Sequence, residues 1–263
     1  MTLSPLADVG LFLPSDPRPP AAQPLTELPM IVLVGVTGVG KSTALLALRG
    51  ETLRVLPDRR VITDEVIVWP LAGRSVTDRQ QRFALTARYR AGHPGGMAQA
   101  LGGLWTVPEP GEQLVFDGLR GLDEVRYAAE HCPQWRFVNL HAPDALRVQR
   151  LLGRNDRFDR VNTSEIAGPD SNLRTELTQL GGAAQVFTPA ELDELAGLHV
   201  QGHTASDILT KTRIVISERQ NYDPAAARAL LLTLPPWRVL DIDTAQTAPP
   251  EVTARVSSWL DGV

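Results

Sequence analysis

A glycine-rich segment after a short apolar run carries the clearest chemical pattern in the sequence. Gly35, Gly40, Lys41 and Ser42 have the spacing G-x-x-x-x-G-K-[ST] within "IVLVGVTGVGKSTALL". Glycines allow consecutive backbone N–H groups to turn toward one anion, and the helix that follows directs its positive end at the same charge. The pattern therefore predicts a phosphate-binding loop.

The lysine in this segment is not background composition, because Lys41 and Lys211 are the only lysines in the sequence. We expect Lys41 to reach the β- and γ-phosphates of a nucleotide and the Ser42 hydroxyl to coordinate Mg²⁺. The predicted nucleotide-binding residues are Gly35, Val36, Thr37, Gly38, Val39, Gly40, Lys41, Ser42 and Thr43.

Apolar runs and helix-forming segments alternate along most of the chain, which predicts a parallel sheet with right-handed crossovers. The predicted strands are Met30–Val34, Arg60–Thr63, Gln113–Phe116, Trp135–Leu140 and Trp237–Ile242. The alternation is lost after Asp159, where we expect helices at Pro189–Leu198 and Pro224–Leu234 and a strand at Thr212–Ser217.

Composition narrows the class of protein. The 263 residues, of which 43% are hydrophobic, are enough for one large α/β domain. A single cysteine indicates a reducing compartment, and no apolar run reaches the ~18 residues of a membrane span, so we expect a cytoplasmic protein with no membrane partner. The net charge of −4 argues against a general nucleic-acid-binding surface, although a local arginine groove could still bind one.

The glycine segment resembles the Walker A motif of the P-loop NTPase superfamily. Three further segments, "VITDE", "VFDGLRGLDEV" and "DALRVQRLLGRNDRFDR", resemble the branch of nucleoside monophosphate kinases and dephospho-coenzyme A kinase. The resemblance implies a three-layer α/β P-loop fold with a mostly parallel five-stranded sheet and a large insertion before the last strand. The implied division is a core at 30–160, an insertion at 161–236, and a closing strand and helix at 237–263. The proline-rich composition of residues 1–29 predicts a loose tail, although a short segment such as Val9–Leu13 could dock on the body.

The resemblance also implies roles for individual residues. Asp64 would contact the phosphate acceptor or act as its base, and Asp117 would hold Mg²⁺ together with Ser42. Asp117 is followed by Gly118, where helicase and AAA-type ATPases carry a glutamate that polarises water. No N-K-x-D guanine motif is present. These features favour phosphate transfer from ATP over hydrolysis.

The arginine-rich segment is predicted to close over the nucleotide as a lid. Arg147, Arg150, Arg154 and Arg157 fall within about 80° of one helical face, and phosphoryl transfer needs positive charge around the moving group. Arg154 and Arg157 are the predicted catalytic members, with Lys41 and Asp64. The alternative is a solvated face paired with nearby aspartates.

Other polar residues give weaker indications. Arg79, Arg82 and Arg90 share a helical sector and could face an acceptor or solvent, and Arg120 could meet a substrate phosphate. The remaining candidates lack the spacing of a metal site or an activating partner, so we expect structural roles for them: His93, His131, His199, His203 and Cys132.

The sequence thus predicts an ATP-binding, Mg²⁺-dependent kinase acting on a small, nucleotide-like acceptor. One alternative is a regulatory or DNA-repair-associated P-loop ATPase that acts with a macromolecular partner and positions water through Glu65. A polynucleotide kinase is another. The identity of the acceptor and the oligomeric state stay open.

Overall fold

The computed structural model describes residues 5–48, 52–153 and 172–262. The strands in these ranges are β1 Leu11–Phe12, β2 Gln23–Pro24, β3 Met30–Val34, β4 Leu53–Val55, β5 Trp105–Thr106, β6 Gln113–Leu119, β7 Trp135–His141 and β8 Val239–Asp243. The helices are α1 Lys41–Ala47, α2 Arg59–Ile62, α3 Trp69–Ala72, α4 Arg79–Gly92, α5 Gly96–Gly102, α6 Leu122–His131, α7 Asp144–Leu152, α8 Leu173–Gln179, α9 Ala183–Val186, α10 Pro189–Gly197, α11 Ala205–Asn221, α12 Pro224–Leu231 and α13 Pro249–Asp261. A π-helical segment, Thr63–Val68, joins α2 to α3.

Five of the described strands form a parallel sheet in the order β4-β6-β3-β7-β8. Every residue of the central strand β3 is buried, as expected for a parallel strand covered on both faces. The predicted α/β class and parallel five-stranded sheet are therefore confirmed.

Helices cover both faces of the sheet and make three layers. Met30, Val32 and Val34 of β3 pack with α5, α6 and α12. Ile31 and Leu33, which alternate with them, pack with α1 and α13 on the opposite face. The period of two along β3 divides its side chains between two cores.

A third core lies among helices and includes no strand residue. It joins α7 to α8, α10 and α11 through fully buried side chains such as Leu151, Leu177 and Val215. The predicted strand at Thr212–Ser217 is wrong, because these residues lie within α11. The helix begins at a capping residue, Thr204, and packing of its apolar face overrides the strand preference of the β-branched residues.

The second predicted strand is also wrong. Residues 60–63 continue α2 into the π-helical segment, and the edge strand is β4 instead. The Asp58 side chain accepts a hydrogen bond from the backbone N–H of Arg60 and starts the helix, while Ile62 is buried in the core. Capping and burial together favour a helix over the strand suggested by Val61, Ile62 and Thr63.

The N-terminal segment is packed against the body, so the prediction of a loose tail does not hold for residues 5–29. β1 and β2 both pair with β5 in a small antiparallel sheet. Leu6, Leu11 and Leu25 are fully buried in the main core. The indole Nε1 of Trp135 donates a 2.9 Å hydrogen bond to the carbonyl of Leu25, which ties the segment to β7.

No helix within the described ranges combines the length and apolar character needed to cross a bilayer.

Replacing Leu25, which is 0% exposed, by alanine should lower the free energy of unfolding by about 2–5 kcal/mol, because a cavity is left in the main core. Urea unfolding at neutral pH would measure the change. Leu232→Ala, at a leucine that is 52% exposed, is the matched control and should change little. Equal effects of the two substitutions would contradict the packed position of the N-terminal segment.

Candidate functional site

The glycine loop, residues 35–40, connects the carboxyl end of β3 to α1. Because β3 is central, the loop lies between the carboxyl ends of β6 and β7. The N–H of Gly35 donates a 2.9 Å hydrogen bond to the carbonyl of Leu119, the last residue of β6. The loop therefore starts at the sheet edge where ligands of open α/β proteins usually bind.

Five consecutive loop carbonyls accept hydrogen bonds from side chains. The pairs are Gly35 O and Val36 O with Lys41 Nζ at 3.0 and 3.3 Å, Thr37 O with Arg147 Nε at 2.8 Å, Gly38 O with Arg150 Nη1 at 3.2 Å, and Val39 O with Thr244 Oγ1 at 3.0 Å. Arg150 also donates to the hydroxyl and the carbonyl of Thr244 at 2.8 and 2.7 Å. The carbonyls of Thr37, Gly38 and Val39 are thus held by α7 and by the residue that follows β8.

The amides of the same stretch are arranged differently. Among the described residues, no hydrogen bond uses the N–H of Gly38, Val39 or Gly40 as its donor. Consecutive backbone N–H groups that have no partner within the protein can together bind an anion. This geometry suits phosphate oxygens.

Two glycines of the loop could not be replaced without rearrangement. Gly35 has φ +144°, and a Cβ there would lie 2.6 Å from the carbonyl oxygen of Leu140. Gly38 has φ +87°, and its Cβ would lie 3.1 Å from the carbonyl oxygen of Arg147. The close approach of the loop to β7 and α7 therefore depends on glycine.

Lys41 and Asp117 lie together beside the loop. Lys41 Nζ is 3.8 Å from Asp117 Oδ1, and β6 brings Asp117 opposite Leu33 of β3. Asp117 Oδ1 is buried and has no hydrogen-bond partner among the described residues. A buried carboxylate oxygen of this kind fits a hard divalent cation that keeps most of its waters, as Mg²⁺ does.

Protein carboxylates and imidazoles do not build a closed metal cage in the described part of the chain. No group of three or more His, Cys, Asp or Glu side chains comes together there. Mg²⁺ at phosphate sites is commonly held by one or two protein oxygens and the phosphates themselves, so the expectation for Ser42 and Asp117 does not require such a cage.

Glu218 of α11 is the residue at this site that sequence reasoning missed. Its carboxylate accepts from the N–H of Thr37 at 3.1 Å, from the Thr37 hydroxyl at 2.6 Å and from Arg120 Nη1 at 2.9 Å, and it also pairs with Arg147. It lies 181 residues from Thr37 along the chain. No local pattern signals such a contact, because α11 reaches the loop only through tertiary packing.

Asp64 does not lie at a strand end, contrary to the expectation. It is part of the π-helical segment and forms an ion pair with Arg82 of α4. The expectation depended on the strand at Arg60–Thr63, which is absent from the described fold. π-Helical turns are frequent at functional sites, but no contact among the described residues joins Asp64 to the glycine loop.

The predicted arginine lid divides into two parts. Arg154 and Arg157 lie outside the described residues. Arg147 and Arg150 hold carbonyls of the glycine loop, and Arg147 is almost fully buried and also paired with Asp144. These two arginines therefore support the loop from outside.

The other polar candidates have structural contacts. His93 stacks on Tyr89 and His131 on Tyr127, and His199 Nδ1 lies 2.9 Å from the carbonyl of His203. The predicted packing of Cys132 is confirmed, since the residue is fully buried. Burial raises the pKa of its thiol to about 12, against a smaller lowering by Arg238, so it is protonated at neutral pH.

Asp241 stabilises the neighbouring strand ends. Burial raises the pKa of Asp241, but hydrogen bonds from Arg228 and Asn139 and the charge of His141 lower it, and the net pKa lies below its ordinary value. The carboxylate is therefore ionised and ties β8 to β7 and α12. Thr244, which holds the loop carbonyl of Val39, follows directly after β8.

A cavity of about 310 Å³ lies between the start of α6 and the end of α11. Its lining includes Arg90, Gly121, Glu124, Arg219, Tyr222 and Asp223. Gly121 follows Arg120, and Arg219 follows Glu218, so two parts of the lining adjoin, along the chain, the ion pair of Arg120 with Glu218. Its volume is in the range of small-molecule sites.

No family model matches this chain, and no curated protein matches it. Among solved structures, the chain is similar to an unliganded sugar kinase from Janibacter sp. HTCC2649, with a TM-score of 0.35 and 17% identity. The alignment covers 89% of this chain and 94% of that chain. A likeness at this level identifies neither a family nor an activity.

Gly38→Ala should destabilise the protein more than Gly111→Ala. Both glycines have positive φ, 87° and 76°, but a Cβ meets the backbone of Arg147 at the first and nothing within 4 Å at the second. The backbone conformation alone should cost about 1–2 kcal/mol at Gly111, and the displacement of α7 should add to this at Gly38. Urea unfolding of both variants measures the difference, and equal losses would contradict the close packing of the loop on α7.

Proposed function

We propose that this chain is a P-loop phosphotransferase that binds ATP with Mg²⁺ and transfers the γ-phosphate to a small-molecule acceptor. The observation that carries the proposal is the geometry of the glycine loop, in which the carbonyls of residues 35–39 all accept hydrogen bonds from side chains. Its inner amides are left to face a ligand. Lys41 and Asp117 meet beside it at 3.8 Å.

The order of strands supports the same proposal. β6 lies directly beside β3, so that Asp117 and the loop share one edge of the sheet. A cation and a carboxylate at the base of a phosphate-binding loop are the parts that P-loop proteins use to hold the β- and γ-phosphates and Mg²⁺.

Each residue has a role in the proposed reaction. The amides of the loop bind phosphate oxygens, and Lys41 offsets the charge that develops on the transferred group. Ser42 and Asp117 would hold Mg²⁺, which supplies further charge neutralisation when bound. Arg154 and Arg157 remain the proposed lid, and Asp64 remains a proposed acceptor-site residue.

Packing after Asp117 favours transfer over hydrolysis. A Cβ at Gly118 would lie 2.7 Å from the Phe116 ring, so the position has no room for the water-activating glutamate of many ATPases. Arg59 donates to the carbonyl of Gly118 at 2.7 Å and pairs with Glu124, which also accepts from the N–H of Arg120. Glu124 is thereby engaged by two donors at the wall of the cavity, where an acceptor would bind.

The principal test uses ATP labelled in its γ-phosphate with pools of nucleosides, nucleotides and other small alcohols. A labelled organic product is expected with the unaltered protein, and Lys41→Met should reduce ATP binding and product by about 100-fold or more. Arg126→Met is the matched control, because it removes a surface cation on α6 that pairs only with Asp123 in the described contacts. Release of free phosphate alone would overturn the transferase proposal.

Asp117→Asn should weaken the response to Mg²⁺, because the neutral amide is a poor ligand for a hard cation. Turnover at fixed Mg²⁺ should fall by about 100-fold, and the Mg²⁺ concentration for half-maximal rate should rise. Asp261→Asn, at an exposed aspartate in the last turn of α13, should leave both quantities unchanged. An unaltered Mg²⁺ titration for Asp117→Asn would contradict the metal assignment.

A further inference from the structure

A carboxylate from the inserted helices is bound at the glycine loop in the way a phosphate would be. The side chain of Glu218 is only 9% exposed and accepts from four groups: the N–H of Thr37, the Thr37 hydroxyl, Arg120 and Arg147. Thr37 is the third residue of the loop, so one of the loop's own amides binds this carboxylate.

This donor set is suited to phosphate. Phosphate and carboxylate oxygens are recognised by the same groups, namely backbone N–H, hydroxyl and the planar fork of arginine. A tetrahedral dianion offers more acceptor oxygens and more charge than one carboxylate. Arg120 Nε is buried without a hydrogen-bond partner among the described residues, so the set has at least one donor that Glu218 leaves unused.

The donors would stay in place without Glu218. Arg147 is held independently by Asp144 and by the carbonyl of Thr37. Arg120 is anchored by its backbone N–H to Glu124 and lies 5.8 Å over the ring of Tyr222. Thr37, Arg120 and Arg147 all lie before the insertion in the chain, and Glu218 is the part contributed by α11.

We propose that Thr37, Arg120 and Arg147 form an anion subsite that Glu218 fills internally and that a phosphate group of the ligand takes over when it binds. This inference rests on the proposed function of the glycine loop. Glu218 then acts as a competitor for the phosphate, which lowers the affinity of the unaltered protein for its ligand. The incoming group is either the terminal phosphate of the nucleotide or a phosphate carried by the acceptor.

The test compares the unaltered protein with Glu218→Gln by calorimetric titration with ATP, with ADP, and with inorganic phosphate in the presence of ADP. Glutamine has nearly the same shape but no charge, so the two arginines are left to attract an anionic ligand. The affinity should rise about tenfold. If only the affinity for ATP rises, the group that enters the subsite is the terminal phosphate of the nucleotide. If the affinity for inorganic phosphate rises in the presence of ADP, the group is the phosphate of the acceptor.

Glu112→Gln is the matched control. Glu112 is also a poorly exposed glutamate paired with an arginine, Arg54, but it precedes β6 and so lies at the opposite end of that strand from Asp117. The substitution Glu112→Gln changes the net charge by the same amount as Glu218→Gln and should leave the affinities in all three titrations unchanged. Glu218→Asp, whose carboxylate is one methylene shorter, should give a smaller gain than Glu218→Gln and serves if circular dichroism shows the latter to be unfolded.

The outcomes separate this inference from the proposed function. If Glu218→Gln binds all three ligands no more tightly than the unaltered protein while Lys41→Met loses ATP, the subsite is refuted and nucleotide binding stands. If neither the unaltered protein nor Glu218→Gln binds nucleotides, the proposed function is refuted. Titration with inorganic phosphate alone then still decides the subsite: a higher affinity in Glu218→Gln supports it, and an unchanged affinity overturns it.

Discussion

The hydrogen bonds that hold the carbonyls of Thr37, Gly38 and Val39 are the constraint on which the candidate site depends. Backbone carbonyls in a packed loop need donors, and these three receive them from Arg147, Arg150 and Thr244. A carbonyl without such a donor could turn inward and repel phosphate oxygens. The shape of the loop is therefore maintained by α7 and by the end of β8, and not by the glycines alone.

This arrangement gives the arginines of α7 a function that their charge pattern did not reveal. A row of guanidinium groups on one helical face suits both a mobile lid and a fixed support. Arg147 and Arg150 are used as support, because their donors are directed to carbonyls and carboxylates that the fold brings to them. Burial of Arg147 is tolerated since Asp144 and Glu218 both compensate its charge.

The errors in the predicted elements have one cause. Val61, Ile62 and Thr63, like Thr212 and residues 214–216, are β-branched and favour a strand when judged locally. In the fold, Asp58 and Thr204 cap helices, and burial of Ile62 and Val215 against other elements stabilises them. The loose tail predicted for residues 1–29 is wrong over residues 5–29 for a different reason, because proline-rich composition does not reveal that Leu6, Leu11 and Leu25 are buried in the main core.

The sequence by itself determined the parallel α/β class, the bounds of β3, and the position of the glycine loop between a strand and a helix. These features depend on short-range patterns of apolar residues, glycine and helix caps, and each pattern is complete within a few residues of the sequence. Only the tertiary structure decided what surrounds the loop: Thr244, Arg147 and Glu218 meet it from positions about one hundred to two hundred residues away. Their contacts arise from the crossover of parallel strands and the packing of α7 and α11, and no local pattern encodes a partner at that separation.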